Sequence, residues 1–388
     1  MPIQPFQVEV PEAALEDLRR RLERTRFPAP FDDADWSQGI PAAVLRDFVE
    51  YWMTDYDWRR EEAKLNAFDQ GVTEARGERL HFFHVRSPEP DALPIVLTHG
   101  WPGSPVEFQA VLGPLSDPVR YGGDPGDAFH VVCPSMPGYG FSGPTSQRGV
   151  DVHVVADAVA DLMKELGYGR YVAQGGDWGA LVTRRLGEAY PERLAGIHVN
   201  MLFAMPADLA DPAVWEGVTT SEQEAFAAAG ARVADGTGYM AIQSTRPQTL
   251  AYGLTDSPTG LLAWILEKFY AWSDCQGDLE SVYTKDQLLT NVMHYWLTDT
   301  AGSAARLYKE SARAGTSATD PWSGQVDVPT GYARYPMEML QTPRVWAERH
   351  YNLVHLADID RGGHFAAFEQ PERFVEDLRA FARQHCRP

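Results

Sequence analysis

Hydrophobic and polar positions along this chain follow two alternating periods. An apolar run at residues 94–98 and strand-like segments at 129–133, 171–173, 328–333 and 353–359 have the length of core strands. Between them lie segments with apolar residues on one helical face. Residues 11–26 put Leu15, Leu18 and Leu22 on one side behind a first-turn proline, residues 180–190 run to a stop at Pro191, and Gln370-Pro371-Glu372 opens a last helix. Strands alternating with helices predict an α/β class with a mostly parallel central sheet flanked by helices. From residue 203 to 321 the strand signal fades, and helices are expected at 221–231, 260–272 and 285–298. The expected organisation is an N-terminal extension (1–75), a first part of the core (76–202), an inserted helical cap (203–321) and a second part of the core (322–388). Trp36, Trp52, Tyr56 and Trp58 in the extension read as packing.

Composition adds to this picture. At 388 residues the chain exceeds a typical single domain, as a core with an insertion would. A formal net charge of -20 argues against nucleic-acid or anionic-membrane partners. Cys133, Cys275 and Cys386 are widely spaced and odd in number, which suggests a reducing, cytoplasmic setting. The first ten residues read as neither leader nor anchor, and no apolar run approaches the roughly 20 residues of a membrane span.

Candidate chemistry centres on Gln174-Gly175-Gly176-Asp177-Trp178-Gly179, which has the outline of a nucleophile elbow with a carboxylate at its tip. The turn needs small flanking residues, and Gly175 and Gly179 stand where a Cβ would clash. With a reference pKa of about 3.9, aspartate is ionised at neutral pH and needs no base to attack. Its natural target is a saturated carbon bearing a strained or good leaving group. The resulting ester must be hydrolysed by water, and that step needs a base.

Arg361-Gly362-Gly363-His364-Phe365 offers the base, on a glycine loop after the last strand run and before the last helix. An acid between the elbow and His364 should hold its imidazole. By position Glu338 ranks first and Glu348 second, while Asp358 and Asp360 lie too close to His364 in sequence. His99-Gly100-Trp101-Pro102-Gly103-Ser104, after the strand run at 94–98, can aim the Trp101 amide beside the Trp178 amide as an oxyanion site. The turn also suits a cis proline at Pro102. A loop from Pro134 to Ser142 is expected to pack near the elbow as scaffold.

With these residues in hand, the chain resembles the microsomal-type epoxide hydrolases of the α/β-hydrolase superfamily over almost its whole length. The likeness takes in the turn at 99–104, the elbow, Gly238-Tyr239-Met240-Ala241-Ile242-Gln243, Ile265-Leu266-Glu267-Lys268-Phe269, Tyr308-Lys309-Glu310, Pro336-Met337-Glu338 and the His364 loop. It implies an α/β-hydrolase fold with cap and extension, Asp177 as nucleophile, Glu338 and His364 as the charge pair, and Tyr239 and Tyr308 as electrophilic acids. The residues alone select none of the sixteen tyrosines; Tyr252, Tyr270, Tyr283 and Tyr295 are the alternatives.

The implied activity is conversion of an apolar epoxide and water to a vicinal diol, with no metal or organic cofactor. A bacterial source is suggested, with a role in secondary metabolism or detoxification. Two rivals share the elbow: a haloalkane or haloacid dehalogenase, and a catalytically silent binding protein. The oligomeric state is left open, with a homodimer among the options.

Overall fold

The computed structural model describes residues 2–29, 35–317 and 324–387, so the expected boundary at 321/322 lies outside the described residues. Among the described residues nine strands form one sheet: β1 (Gln4–Phe6), β2 (Gln70–Ala75), β3 (Glu78–Val85), β4 (Leu93–Thr98), β5 (Phe129–Pro134), β6 (Tyr171–Gly175), β7 (Leu194–Val199), β8 (Val326–Arg334) and β9 (Tyr351–Asp358). Their order is β1-β2-β3-β5-β4-β6-β7-β8-β9. The pairs from β1 to β5 are antiparallel, and the six strands from β5 to β9 are parallel. The parallel strands are apolar because helices cover both faces; Ile95, Val96, Leu97, Val131, Val132, Val172 and Ala173 are fully buried. Six parallel strands thus form the centre of the sheet, and the candidate site residues follow their carboxyl ends.

Two of the nine strands come from the first 75 residues. β1 pairs with β2, and β2 extends the sheet as an antiparallel edge. The first helix, Glu12–Glu23, ends three residues before the expected Arg26, because the amides of Arg24 and Thr25 turn back to Arg21 and Leu22. Trp52 and Trp58 are buried, and Trp36 stacks on Tyr270 with ring centroids 3.7 Å apart.

Between β7 and β8 the described residues are helical, with helices at Thr220–Val233, Gly238–Thr245, Pro247–Asp256, Pro258–Trp272, Lys285–Trp296 and Ala301–Ala314. Local sequence sets their starts: Thr219 with Glu222 and Thr284 with Gln287 close capping boxes. Ser257 caps the helix that Pro258 opens. The N-terminal segment holds this region through Arg21 to Asp256, Tyr51 to Asp286 and Tyr56 to Thr290. Among the described residues no helix is long and apolar enough to cross a membrane.

Candidate active site

The elbow forms where β6 meets the helix Trp178–Ala189. Asp177 sits between them at φ 51° and ψ -127°, a conformation that costs a non-glycine residue about 1–3 kcal/mol. The turn closes only because its neighbours lack side chains. A Cβ on Gly175 would strike the Gly179 carbonyl, and one on Gly179 would strike the Thr98 carbonyl. The Asp177 carboxylate is thereby pressed against Gly100, and its Oδ1 accepts a hydrogen bond from the Trp101 amide at 2.8 Å. Trp101-Pro102 is cis. Burial raises the Asp177 pKa, opposed by His364 and by the amides of Trp101 and Trp178.

His364 approaches from the other side, with Nε2 3.7 Å from Asp177 Oδ2. Its Nδ1 donates to Glu338 Oε1 at 2.8 Å. Glu338 is fully buried just beyond β8, and the same Oε1 accepts from the Met339 amide. The loop after β9 is pinned by the His364 amide on the Trp272 carbonyl, 3.0 Å away, and a Cβ on Gly363 would crowd that carbonyl. Burial pulls the His364 pKa down, but Glu338, Asp177 and Glu107 outweigh it and hold it at about 9. The other acids weighed for this place are engaged elsewhere: Glu348 pairs with Arg344, Asp358 with Arg334 and Asp360 with Arg373.

In front of Asp177 opens a cavity of about 510 Å³. Its wall is apolar, with Leu181, Met201, Phe203, Met240 and Met339 among the lining residues, and Tyr239 and Tyr308 face it together with Trp178. Tyr239 comes from the helix Gly238–Thr245 and stacks on Trp101 at 4.9 Å and 8°. Tyr308 comes from the helix Ala301–Ala314 and meets Trp178 edge-on at 4.7 Å. The two phenol rings meet edge-on with centroids 5.9 Å apart. The alternative tyrosines stand apart: Tyr295 donates to the Gly103 carbonyl, Tyr283 pairs with Ser273, Tyr270 stacks on Trp36, and Tyr252 is exposed. The 134–142 loop packs under the site, where the Met136 amide donates to His99.

Residues 3–108 match the family described as epoxide hydrolase N terminus, and residues 94–238 match the alpha/beta hydrolase fold. A protein of Stigmatella aurantiaca (strain DW4/3-1), provisionally named an epoxide hydrolase, is 49% identical over 98% of this chain and 85% of its own length. Epoxide hydrolase 1 of Sus scrofa is 36% identical over 98% of this chain and 88% of its own. This chain belongs to the epoxide hydrolase family. The solved epoxide hydrolase of Aspergillus niger superposes on it with a TM-score of 0.86 at 35% identity, covering 99% of this chain and 97% of that one.

Within this epoxide hydrolase chain, the structure brings Asp177, His364, Glu338, Tyr239, Tyr308, Trp101 and Trp178 into one place. Sequence reasoning passed over Trp272, whose carbonyl pins the His364 loop, and Asn200, whose Nδ2 reaches the His364 carbonyl at 3.4 Å. It also passed over Glu107. The pattern Ser104-Pro105-Val106-Glu107 was a legible signal, but one that reads as a helix cap.

Proposed function

We propose that this chain hydrolyses apolar epoxides to vicinal diols through an ester formed on Asp177. The observation that carries this reading is the placement of Asp177 between two unlike surroundings. Tyr239 and Tyr308 stand with it in the apolar cavity, and the His364–Glu338 pair stands on its other side.

In the first step a lone pair on Asp177 Oδ2 bonds to one oxirane carbon, and that carbon's bond to the ring oxygen breaks. The ring oxygen takes a proton from the Tyr239/Tyr308 pair, because a free alkoxide is a poor leaving group. Oδ1 stays on the Trp101 amide. In the second step the ester has removed the Asp177 charge that helped hold the His364 proton, so the imidazole releases that proton to solvent; water then adds to the Asp177 carboxyl carbon while the neutral His364 Nε2 takes a proton from it. The oxyanion on Oδ1 is held by the Trp101 and Trp178 amides. Collapse breaks the ester bond, and the departing diol oxygen takes the proton from His364. Asp177 is left as the acid, and its proton replaces the one the phenols lost.

We read the helices between β7 and β8 as a cap over the strand ends and residues 1–75 as an extension bracing it, supported by the Arg21, Tyr51 and Tyr56 contacts. A cytoplasmic location is supported by Cys133, Cys275 and Cys386, which are free and buried.

The test is mass spectrometry of a His364→Gln variant mixed with styrene oxide, with a short chloroalkane in parallel. An adduct of one epoxide mass on the Asp177 peptide, absent in Asp177→Asn, is the expected result. In a wild-type single turnover in H2 18O, the label should enter Asp177 and not the first diol released. A label found in that first diol would overturn the ester mechanism, and an adduct from the chloroalkane alone would make the enzyme a dehalogenase.

A further inference from the structure

Behind Asp177 lies a second cavity, small and of mixed polarity where the front one is large and apolar. It measures about 20 Å³ and is lined by Gly100, Glu107, Gly176, Asp177, Asn200 and His364 among others. A single water needs about 10–15 Å³ and two or more polar partners, so this space fits one molecule. Asp177 is the wall the two cavities share.

Glu107 is the carboxyl group in this space that the two reaction steps leave unused. It is buried, in the short helix Pro105–Phe108 that follows the 99–104 turn. The Ser104 amide lies beside it and opposes the rise in its pKa, and a carboxylate has roughly four acceptor positions to fill. Gly103 makes room for it: that residue has no positive φ, yet a Cβ there would overlap the Glu107 carboxyl group. A buried carboxyl is costly unless its hydrogen-bonding capacity is used.

Resting on the ester reading above, we propose that Glu107 holds the water that hydrolyses the ester on Asp177. The water occupies the rear cavity, donates one hydrogen to a Glu107 carboxyl oxygen and the other to His364 Nε2, and directs a lone pair at the Asp177 carboxyl carbon. The hydrogen given to His364 is the proton transferred in the second step, and the one given to Glu107 stays on the new carboxyl oxygen. Substrate and water thus reach Asp177 from opposite sides and do not compete for one space. Charge supports the assignment. Burial pushes the Glu107 pKa up to about 8, with His364 opposing and Asp177 and Glu369 adding to the rise. Esterification removes the Asp177 charge, so Glu107 becomes more acidic in the intermediate, where the water must be held.

The experiment is a rapid-quench study with styrene oxide, following formation and decay of the ester by intact mass in wild type, Glu107→Gln, Glu107→Leu and Gly103→Ala. The last keeps the carboxyl and displaces it. Ester formation should stay within about two-fold of wild type in all three, while ester decay slows about ten-fold or more in Glu107→Leu and Gly103→Ala and by less in Glu107→Gln. Ester that forms and decays at wild-type rates in Glu107→Leu or Gly103→Ala overturns the role of Glu107. Equal slowing of formation and decay overturns it too, because that is what a helix cap alone would give. Absence of ester in both wild type and His364→Gln overturns the ester reading itself, and this proposal with it.

Discussion

Tyr239 and Tyr308 illustrate how burial assigns a role to a single residue. Burial raises the proton affinity of both phenols, and the Asp177 carboxylate adds to it. Each therefore stays neutral and, in the proposed mechanism, keeps a proton for the oxygen that becomes more basic as the ring opens. Replacing either by Phe should slow ester formation by about 10²-fold, and replacing both by about 10⁴-fold, within the span of general acid catalysis. Ester decay should change little. Rapid-quench rates check this, and a double variant that alkylates at the wild-type rate would remove the tyrosines from the chemistry. At this scale the sequence signalled Asp177 and His364 through their glycine neighbours. It was silent on the tyrosines, because any buried phenol leaves the same trace.

The sheet, the elbow and the helix behind it form one fitted element. Gly179 lies in the first turn of the helix Trp178–Ala189, and a Cβ there would meet the carbonyls of Thr98 and His99, which are backbone and cannot swing aside. Gly179→Ala should therefore cost more than about 4 kcal/mol, at the extreme of single substitutions. Gly169→Ala is the control, since that exposed glycine has open space around its Cα and should change stability by less than about 0.5 kcal/mol. Urea unfolding of the two variants measures the difference, and similar midpoints would show that the helix can shift away from β4. The elements themselves were largely legible, with β8 and β9 falling within two residues of the expected runs. β1 and β2 were not, because short edge strands carry little apolar periodicity and are fixed by pairing.

Across the whole molecule, buried titratable groups set the pH range of stability. Burial lowers the pKa of His81, and takes His84 and His99 to about 4 and His294 to about 3, from an ordinary 6.5. Below 6.5 the unfolded chain takes up protons that these four refuse, so stability falls as the pH drops toward their folded values. Three groups act with the opposite sign. Glu107 at about 8, Glu369 at about 7 and His364 at about 9 keep protons in the fold that the unfolded chain has released. The two carboxyls work against the histidines below 6.5 but are outnumbered there. Above 6.5 these three act alone within this set, and stability falls as the pH rises toward 9. The melting temperature should peak near pH 6.5 and decline on both sides. Calorimetry between pH 5 and 9 checks this, and a melting temperature still rising at pH 8.5 would contradict it.

The sequence by itself determined the class of fold, the order of the core elements and the two glycine-framed loops that carry Asp177 and His364. Those follow from short-range effects: apolar period, proline stops, and the exclusion of Cβ atoms from tight turns. Only the tertiary structure decided which acid meets His364 at 2.8 Å, which tyrosines share the cavity with Asp177, and that Asp177 separates a large apolar space from a small one that holds Glu107 and His364. It alone turned Glu107 from a helix cap into a buried carboxyl with a pKa near 8. Contacts between residues far apart in sequence depend on how the packed layers meet, and a pKa depends on the water that packing excludes.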